Sequence, residues 1–103
     1  MTTALRNPVF CAIDTSNVGT ATTLAAQLAD TIGGLKLGLE FFVANGPKGL
    51  AEVTAASDLP LFLDLKFHDI PNTVAGAVRS VVPFKPFMIT VQASGGRAMM
   101  EAA

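Results

Sequence analysis

The stretch LPLFLDLKFHDIPNTV (residues 59–74) combines a strongly apolar run with charged residues at regular positions. Apolar side chains occupy every second position from Leu61 to Phe67, whereas Asp64 and Lys66 fall between them. Side chains two residues apart share one face of a β-strand, so this pattern predicts a strand with one apolar face and one charged face. Charge is costly to bury without a partner, which indicates that these two residues have partners in the fold.

Three other short runs have the same apolar character, and each predicts a further strand. These three runs are PVFCAID (8–14), GLKLGLEFF (34–42) and FMITVQA (87–93), and LPLFLDLKF (59–67) is the fourth predicted strand. In the second run, alternation places Lys36 on the face opposite Leu35, Leu37 and Leu39. Lys36 is therefore expected to share the charged face of the sheet with Asp64 and Lys66.

Helical spacing fills the intervals between these runs. Apolar residues three and four apart from Val18 to Ile32 predict a first helix that ends at Gly33 and Gly34. Gly46 and Pro47 indicate the start of a second helix that runs to Ser57. The remaining predicted helices are Asn72–Val82, stopped by Pro83, and a fourth that begins in the tail GGRAMMEAA. The order of strand, helix and strand favours parallel strands with right-handed helical crossovers.

Helices must cover the apolar face of this sheet, so the polar face is left for function. The residues expected to converge there, near the carboxyl ends of their strands, are Asp14, Lys36, Asp64, Lys66 and Gln92. Such an arrangement is typical of a (β/α)₈ TIM barrel, whose chemistry lies at the C-terminal rim. Because only four strands are predicted, residues 1–103 are interpreted as a single partial domain of α/β class, the N-terminal half (β1 to β4) of a barrel.

Composition restricts the functional classes. The 103 residues are 50% hydrophobic and 15% charged with a net charge of −1, which argues against a disordered tail or a nucleic-acid-binding protein. Neither a membrane span nor an export signal is expected, and a cytoplasmic location is predicted. The single cysteine, Cys11, argues against a disulfide framework or a cysteine metal cluster. The glycine-rich SGGRAM (94–99) matches no phosphate or dinucleotide fingerprint, so no cofactor is predicted.

The inward lysines and aspartate favour a functional interpretation over a structural one. A buried ion pair is often no better for stability than apolar replacements, so a sheet gains little from Lys36, Asp64 and Lys66 as structural elements alone. Asp14 by itself is more typical of a cap or a salt-bridge partner. Asp69 could cap the third helix, although Asn72 is better placed for that purpose.

Four segments give the sequence a recognisable family resemblance. They are AIDT (12–15), KLGLEFF (36–42), DLKFHDIPNTV (64–74) and TVQASGG (90–96), in that order along the chain. The sequence resembles the orotidine 5'-phosphate decarboxylases over nearly all of its length, which is about the first half of the usual length of the family. One departure is Gln92, where the family is expected to have histidine.

The resemblance implies decarboxylation of orotidine 5'-phosphate to UMP and CO₂ in pyrimidine synthesis, with neither an organic cofactor nor a metal. The catalytic residues it implies are an alternating array of Lys36, Asp64, Lys66 and Asp69. Lys66 would stabilise the negative charge left on the ring carbon and then deliver a proton to it.

The resemblance also implies a homodimer with shared active sites. Asp69 would complete the array in the neighbouring subunit, and Ile70 and Thr73 would reach across with it as substrate-binding residues. Asp14 and Lys36 would contact the ribose hydroxyls of the nucleotide. Neither a nucleic acid nor a membrane is an expected partner.

Two alternatives remain open on the sequence. The magnesium-dependent sugar-phosphate decarboxylases and aldolases also carry an Asp-x-Lys-x-x-Asp pattern, but they place an acidic metal ligand on the second strand, where this chain has Lys36. The chain could instead be a noncatalytic half-barrel or assembly module. If the chain is half of a decarboxylase, these 103 residues alone are expected to have little or no activity. Because a half barrel exposes strand edges, they are also expected to self-associate or to recruit a second half.

Overall fold

The computed structural model describes residues 7–103, which form alternating strands and helices. The elements in chain order are β1 (Phe10–Ala12), α1 (Val18–Leu28), β2 (Gly34–Gly38), α2 (Leu39–Thr54), β3 (Leu61–Phe67), α3 (Pro71–Val81), β4 (Met88–Val91) and α4 (Arg97–Ala102). Short 3₁₀ turns at Val82–Phe84 and Ala93–Gly95 flank β4. None of the helices in the described range is both long and apolar enough to cross a membrane.

The four strands form one parallel sheet in the order β1-β2-β3-β4. Each strand therefore pairs with the next strand along the chain, as expected when a helix makes every crossover. The pairing aligns Ala12 with Lys36, and Gly38 with Asp64. This register brings the carboxyl ends of β2 and β3 to the same edge of the sheet, and it confirms the predicted parallel α/β architecture.

The core lies between the sheet and the helices. Leu35, Leu37, Leu61 and Leu63 are buried on the helix-facing side, as the alternation predicts. The helices contribute alanine, branched aliphatic and phenylalanine side chains to the same cluster. The buried cluster comprises Ile13, Ala21, Ala25, Leu35, Leu37, Phe41, Leu50, Val53, Leu61, Leu63 and Val81.

The start of α2 differs from the prediction. The helix begins at Leu39, directly after β2, so residues 39–42 of the predicted second strand are helical. Leu39 is consequently 54% exposed and does not extend the apolar face of the strand. Glu40 lies in the first turn, where a carboxylate interacts favourably with the helix dipole. At Gly46, whose φ of 65° and ψ of −166° are not helical, α2 divides into two helical segments, and the second begins at Pro47, as the start signal of Gly46 and Pro47 predicts. Glycine adopts such a positive φ without steric cost.

The ends of other elements also differ from the prediction. Val9 and Phe87 lie just outside β1 and β4 and are exposed, so the apolar pattern of the runs extends beyond the strands. Helix α3 begins at Pro71, one residue before the predicted start. Its N-cap is Ile70, so the expectation that Asn72 caps this helix is wrong. Proline is favoured at the first helical position because its fixed φ suits the helix and its missing N–H has no partner there.

The corrected position of Phe41 leads to a stability prediction. Its side chain is 1% exposed within the core, whereas Val43 on the same helix is 76% exposed. Substitution of Phe41→Ala should lower the free energy of unfolding by about 3 kcal/mol, because it removes buried contacts and leaves a cavity. Urea denaturation measures this loss. Val43→Ala should change the same quantity by less than about 0.5 kcal/mol, and equal losses would contradict the burial described here.

Candidate active site

A charged array lies at the carboxyl edge of the sheet. It consists of Lys36 from β2 and of Asp64 and Lys66 from β3. The Nζ atoms of Lys36 and Lys66 lie 3.1 Å and 2.9 Å from the same oxygen, Oδ2 of Asp64. The Asp64 side chain is only 9% exposed, whereas those of Lys36 and Lys66 are 26% and 53% exposed. The two ammonium groups thus remain accessible to a ligand while the carboxylate between them is buried.

An irregularity in β3 shapes this array. Leu63 pairs with Ile89 and Phe67 pairs with Val91, so β3 has three residues between these pairs where β4 has one. Within this bulge, Lys66 has a φ of 53°, in the left-handed region that few residues other than glycine adopt. Bulges redirect side chains near active sites. This one brings the ammonium group of Lys66 back onto Asp64 two residues earlier in the same strand.

Thr90 lies opposite the bulge and completes the hydrogen bonding of the array. Its hydroxyl donates to Oδ1 of Asp64 over 2.7 Å, and it accepts from the backbone N–H of Lys66 over 2.9 Å. Sequence reasoning assigned no role to Thr90. A signal was present, since the alternation of FMITVQA places Thr90 on the polar face of the strand next to Asp64.

The ionisation of Asp64 is set by two opposing influences. Burial alone would raise the pKa of its carboxyl group, since a charged group loses hydration in the interior. The hydrogen bonds from Thr90, Lys66 and Lys36 outweigh burial, and they lower the pKa from 3.8 to about 2. Asp64 is therefore a carboxylate at neutral pH, able to accept from all three donors at once.

This lowered pKa predicts how stability depends on pH. A carboxyl group that binds protons less tightly when folded contributes stability above its unfolded pKa and loses it as pH falls through the folded pKa. Between pH 4 and pH 2 the free energy of unfolding should fall by about 2 kcal/mol on account of Asp64. Chemical denaturation at several pH values measures the slope. The Asp64→Asn variant should lack the fall in the free energy of unfolding that Asp64 causes. An unchanged slope of this free energy against pH in that variant would contradict the prediction.

The other residues predicted for the site lie outside the bonded array. Asp14 is exposed and follows β1 by two residues, at the same edge of the sheet. Gln92 is also exposed, immediately after β4. Asp69 accepts from the backbone N–H of Ile70 over 2.7 Å. Ile70 is 65% exposed, and Thr73 is exposed in the first turn of α3.

The loops that follow β3 and β4 enclose an open cleft of about 570 Å³. Its lining residues are His68, Asp69, Ile70, Pro71, Ser94 and Gly95. Asp69 and Ile70 therefore face a concave surface beside the array. Within one chain, this part of the predicted site is open to solvent.

These features define a class of protein: a parallel α/β half-barrel that presents two lysines around one buried aspartate at the carboxyl edge of its sheet. The family model described as "Orotidine 5'-phosphate decarboxylase / HUMPS family" matches residues 7–103. The chain belongs to this family, as the resemblance of its four segments predicts.

Known proteins agree with this assignment. The orotidine 5'-phosphate decarboxylase of Rhodospirillum rubrum is 69% identical over 98 residues, which are 95% of this chain and 40% of the relative. The crystal structure of the enzyme from Lactobacillus acidophilus is 31% identical, with a TM-score of 0.81 over 94% of this chain and 43% of its own. The crystal structure of the enzyme from Methanocaldococcus jannaschii is only 19% identical but shares the fold, with a TM-score of 0.87. This match covers 93% of the present chain and 47% of the Methanocaldococcus jannaschii chain.

The chain spans less than half the length of these relatives. Its four strands and helices correspond to the N-terminal half of their barrels, which confirms the predicted fold class.

Proposed function

We propose that this chain supplies the decarboxylating half of an orotidine 5'-phosphate decarboxylase, which converts its substrate to UMP and CO₂ without a cofactor. The observation that carries the proposal is the position of the Asp64 carboxylate between the ammonium groups of Lys36 and Lys66. Family membership supports the same reaction. On this proposal residues 1–103 are one partial domain of a cytoplasmic enzyme of pyrimidine synthesis.

Lys66 has the central chemical role in this proposal. The bond from the pyrimidine ring to the carboxyl carbon breaks, CO₂ departs, and the electron pair stays on the ring carbon. A preorganised ammonium group stabilises this charge as it develops, and it then donates a proton to the same carbon. The 53% exposure of the Lys66 side chain supports its access to a ligand above the sheet.

Asp64 acts next to the departing carboxylate. It could repel that group, which raises the energy of the bound substrate, or it could hold Lys66 in position. The 2.9 Å contact between Asp64 Oδ2 and Lys66 Nζ supports the second role. Lys36, Lys66 and Thr90 all donate hydrogen bonds to the Asp64 carboxylate, and the two lysines balance its charge. These contacts weaken any repulsion between Asp64 and the carboxylate of the substrate.

The remaining residues are proposed to bind the nucleotide in a homodimer with shared sites. Asp14 and Lys36 contact the ribose hydroxyls, while Asp69 completes the array of the partner subunit, accompanied by Ile70 and Thr73. The exposure of Asp69, Ile70 and Thr73 on the loop after β3 and the start of α3 supports contact with another chain.

A chimera tests the function. This chain replaces the matching segment of the Rhodospirillum rubrum relative, whose remaining strands then complete the barrel. The chimera should convert orotidine 5'-phosphate to UMP, and the change in ultraviolet absorbance measures this reaction. The 103-residue chain alone should show little or no turnover. An inactive but folded chimera would favour the noncatalytic half-barrel.

Metal dependence separates the proposed reaction from that of the magnesium-dependent sugar-phosphate enzymes. A cation at Asp64 would have to displace two ammonium groups from the carboxylate, and Lys36 would repel it. Turnover by the chimera should therefore be the same after dialysis against EDTA. A loss of activity that magnesium restores would overturn the assignment.

A further inference from the structure

We propose that Thr90 is a positioning residue of the charged array, an inference that deepens and rests on the decarboxylase function proposed above. Its hydroxyl contacts both of the residues that β3 contributes to the array, at the carboxylate of Asp64 and at the backbone N–H of Lys66. It touches no reacting atom in this proposal. Its effect on the reaction is exerted through the orientation of those two residues.

The first effect of Thr90 is on the backbone of Lys66. In a regular parallel pair, the N–H group of a strand residue donates to a carbonyl oxygen of the neighbouring strand. In the β3 bulge, the N–H of Lys66 instead donates to the side-chain oxygen of Thr90. A non-glycine residue persists in the left-handed region only when its surroundings hold it there. The Thr90 hydroxyl therefore helps to keep Lys66 in the conformation that returns its ammonium group to Asp64.

The second effect of Thr90 is on the rotation of the Asp64 carboxylate. Both ammonium groups bind the same oxygen, Oδ2 of Asp64, and this leaves Oδ1 to find a different donor. Thr90 is that donor, over 2.7 Å, in a site where the Asp64 side chain is 9% exposed. A carboxylate fixed at one oxygen presents the other in a defined direction. Thr90 thereby directs Oδ2 toward the two lysines.

A hydroxyl group suits position 90, and an apolar side chain does not. A hydroxyl has one proton to donate and lone pairs to accept, so it satisfies the carboxylate and the N–H together. Valine has nearly the shape of threonine but offers neither function. Serine keeps both. The comparison of Thr90→Val with Thr90→Ser therefore separates hydrogen bonding from packing.

The first experiment uses the chain itself and is independent of turnover. The Asp64 carboxyl resonance is titrated by NMR in carbon-13-labelled protein. Thr90→Val should raise the pKa of Asp64 by about one pH unit, because the carboxylate loses one charge-assisted hydrogen bond. Thr90→Ser should keep the original value, and Thr22→Val, which removes a half-buried hydroxyl bonded to Val18 on α1, should also leave it unchanged. No change with Thr90→Val would overturn the proposal.

The second experiment uses the chimera with the complete barrel. Thr90→Val should lower kcat at least tenfold with KM within threefold, and Thr90→Ser should restore kcat to within threefold. Thr90→Ala, which lacks the hydroxyl and the branch, is measured beside them in case Thr90→Val does not fold. Equal losses of kcat in the serine and valine variants, or a loss confined to stability, would overturn the positioning role. If the unsubstituted chimera is inactive, the proposed function fails, and the titration alone decides the role of Thr90.

Discussion

Lys66→Ala is expected to lower kcat of the chimera by about 10⁴-fold, the largest effect of any single change considered for this chain. The estimate combines the loss of the group that delivers the proton with the loss of a fixed positive charge beside the developing carbanion. The fold should survive, because the Lys66 side chain is 53% exposed and contributes little to the core. Steady-state decarboxylation of orotidine 5'-phosphate, with circular dichroism as a check on folding, measures the outcome.

Lys48→Ala is the matched control, since Lys48 is an exposed lysine on α2 away from the array. It should leave kcat within about twofold of the parent chimera. If Lys66→Ala retains more than a tenth of the parent kcat, the role of Lys66 as proton donor is wrong. A chemical step slowed in this way should also show no burst of UMP in the first turnover.

Asp64→Asn is expected to lower kcat by about 10³-fold. The substitution preserves the shape of the side chain and an oxygen that can accept from Thr90, but it removes the charge that holds the ammonium groups of Lys36 and Lys66. The amide also presents N–H donors toward groups that have no acceptor. Preorganised charges of this kind contribute about 10² to 10³ in rate, and the upper value applies because both lysines lose the same partner.

Asp58→Asn provides the control for this second change, because Asp58 is exposed in the loop before β3. The Asp58→Asn chimera should have the same kcat as the parent chimera. A crystal structure of the Asp64→Asn chimera should show the two lysine nitrogens farther from residue 64 than the 3.1 Å and 2.9 Å of the parent chain. An unchanged arrangement with unchanged kcat would refute the role assigned to Asp64.

The strands and the centre of the candidate site followed from sequence because they depend on a simple period. Alternation in two runs was sufficient to place Lys36 and Asp64 on one face, and parallel neighbours with helical crossovers brought them to one edge. The apolar members of those runs were sufficient to predict the side of the core that the sheet contributes. The ion pair between Lys36 and Asp64 follows once β2 and β3 are adjacent.

The start of α2 did not follow, because GLKLGLEFF keeps its alternation past the point where the strand ends. Short apolar runs fit a strand or a helix equally well, and the start signal of Gly46 and Pro47 marks only the second of the two helical segments of α2. Alternation places Thr90 on the polar face of its strand, but the hydrogen bond that it accepts from the backbone of Lys66 could not be predicted. That bond depends on a bulge and on the left-handed backbone of Lys66, and neither feature has a period that sequence can reveal.

The arrangement of the charged array has an electrostatic consequence for ligand capture. The array of Lys36, Asp64 and Lys66 has a formal charge of +1, since two ammonium groups share one carboxylate, but the exposed carboxylates of Asp14, Glu40 and Asp69 follow the carboxyl ends of β1, β2 and β3. Positive charge is therefore confined to the two ammonium groups and does not extend over this edge of the sheet. We therefore expect Lys36 and Lys66 to act on the anionic orotidine 5'-phosphate at contact distance and not by long-range attraction.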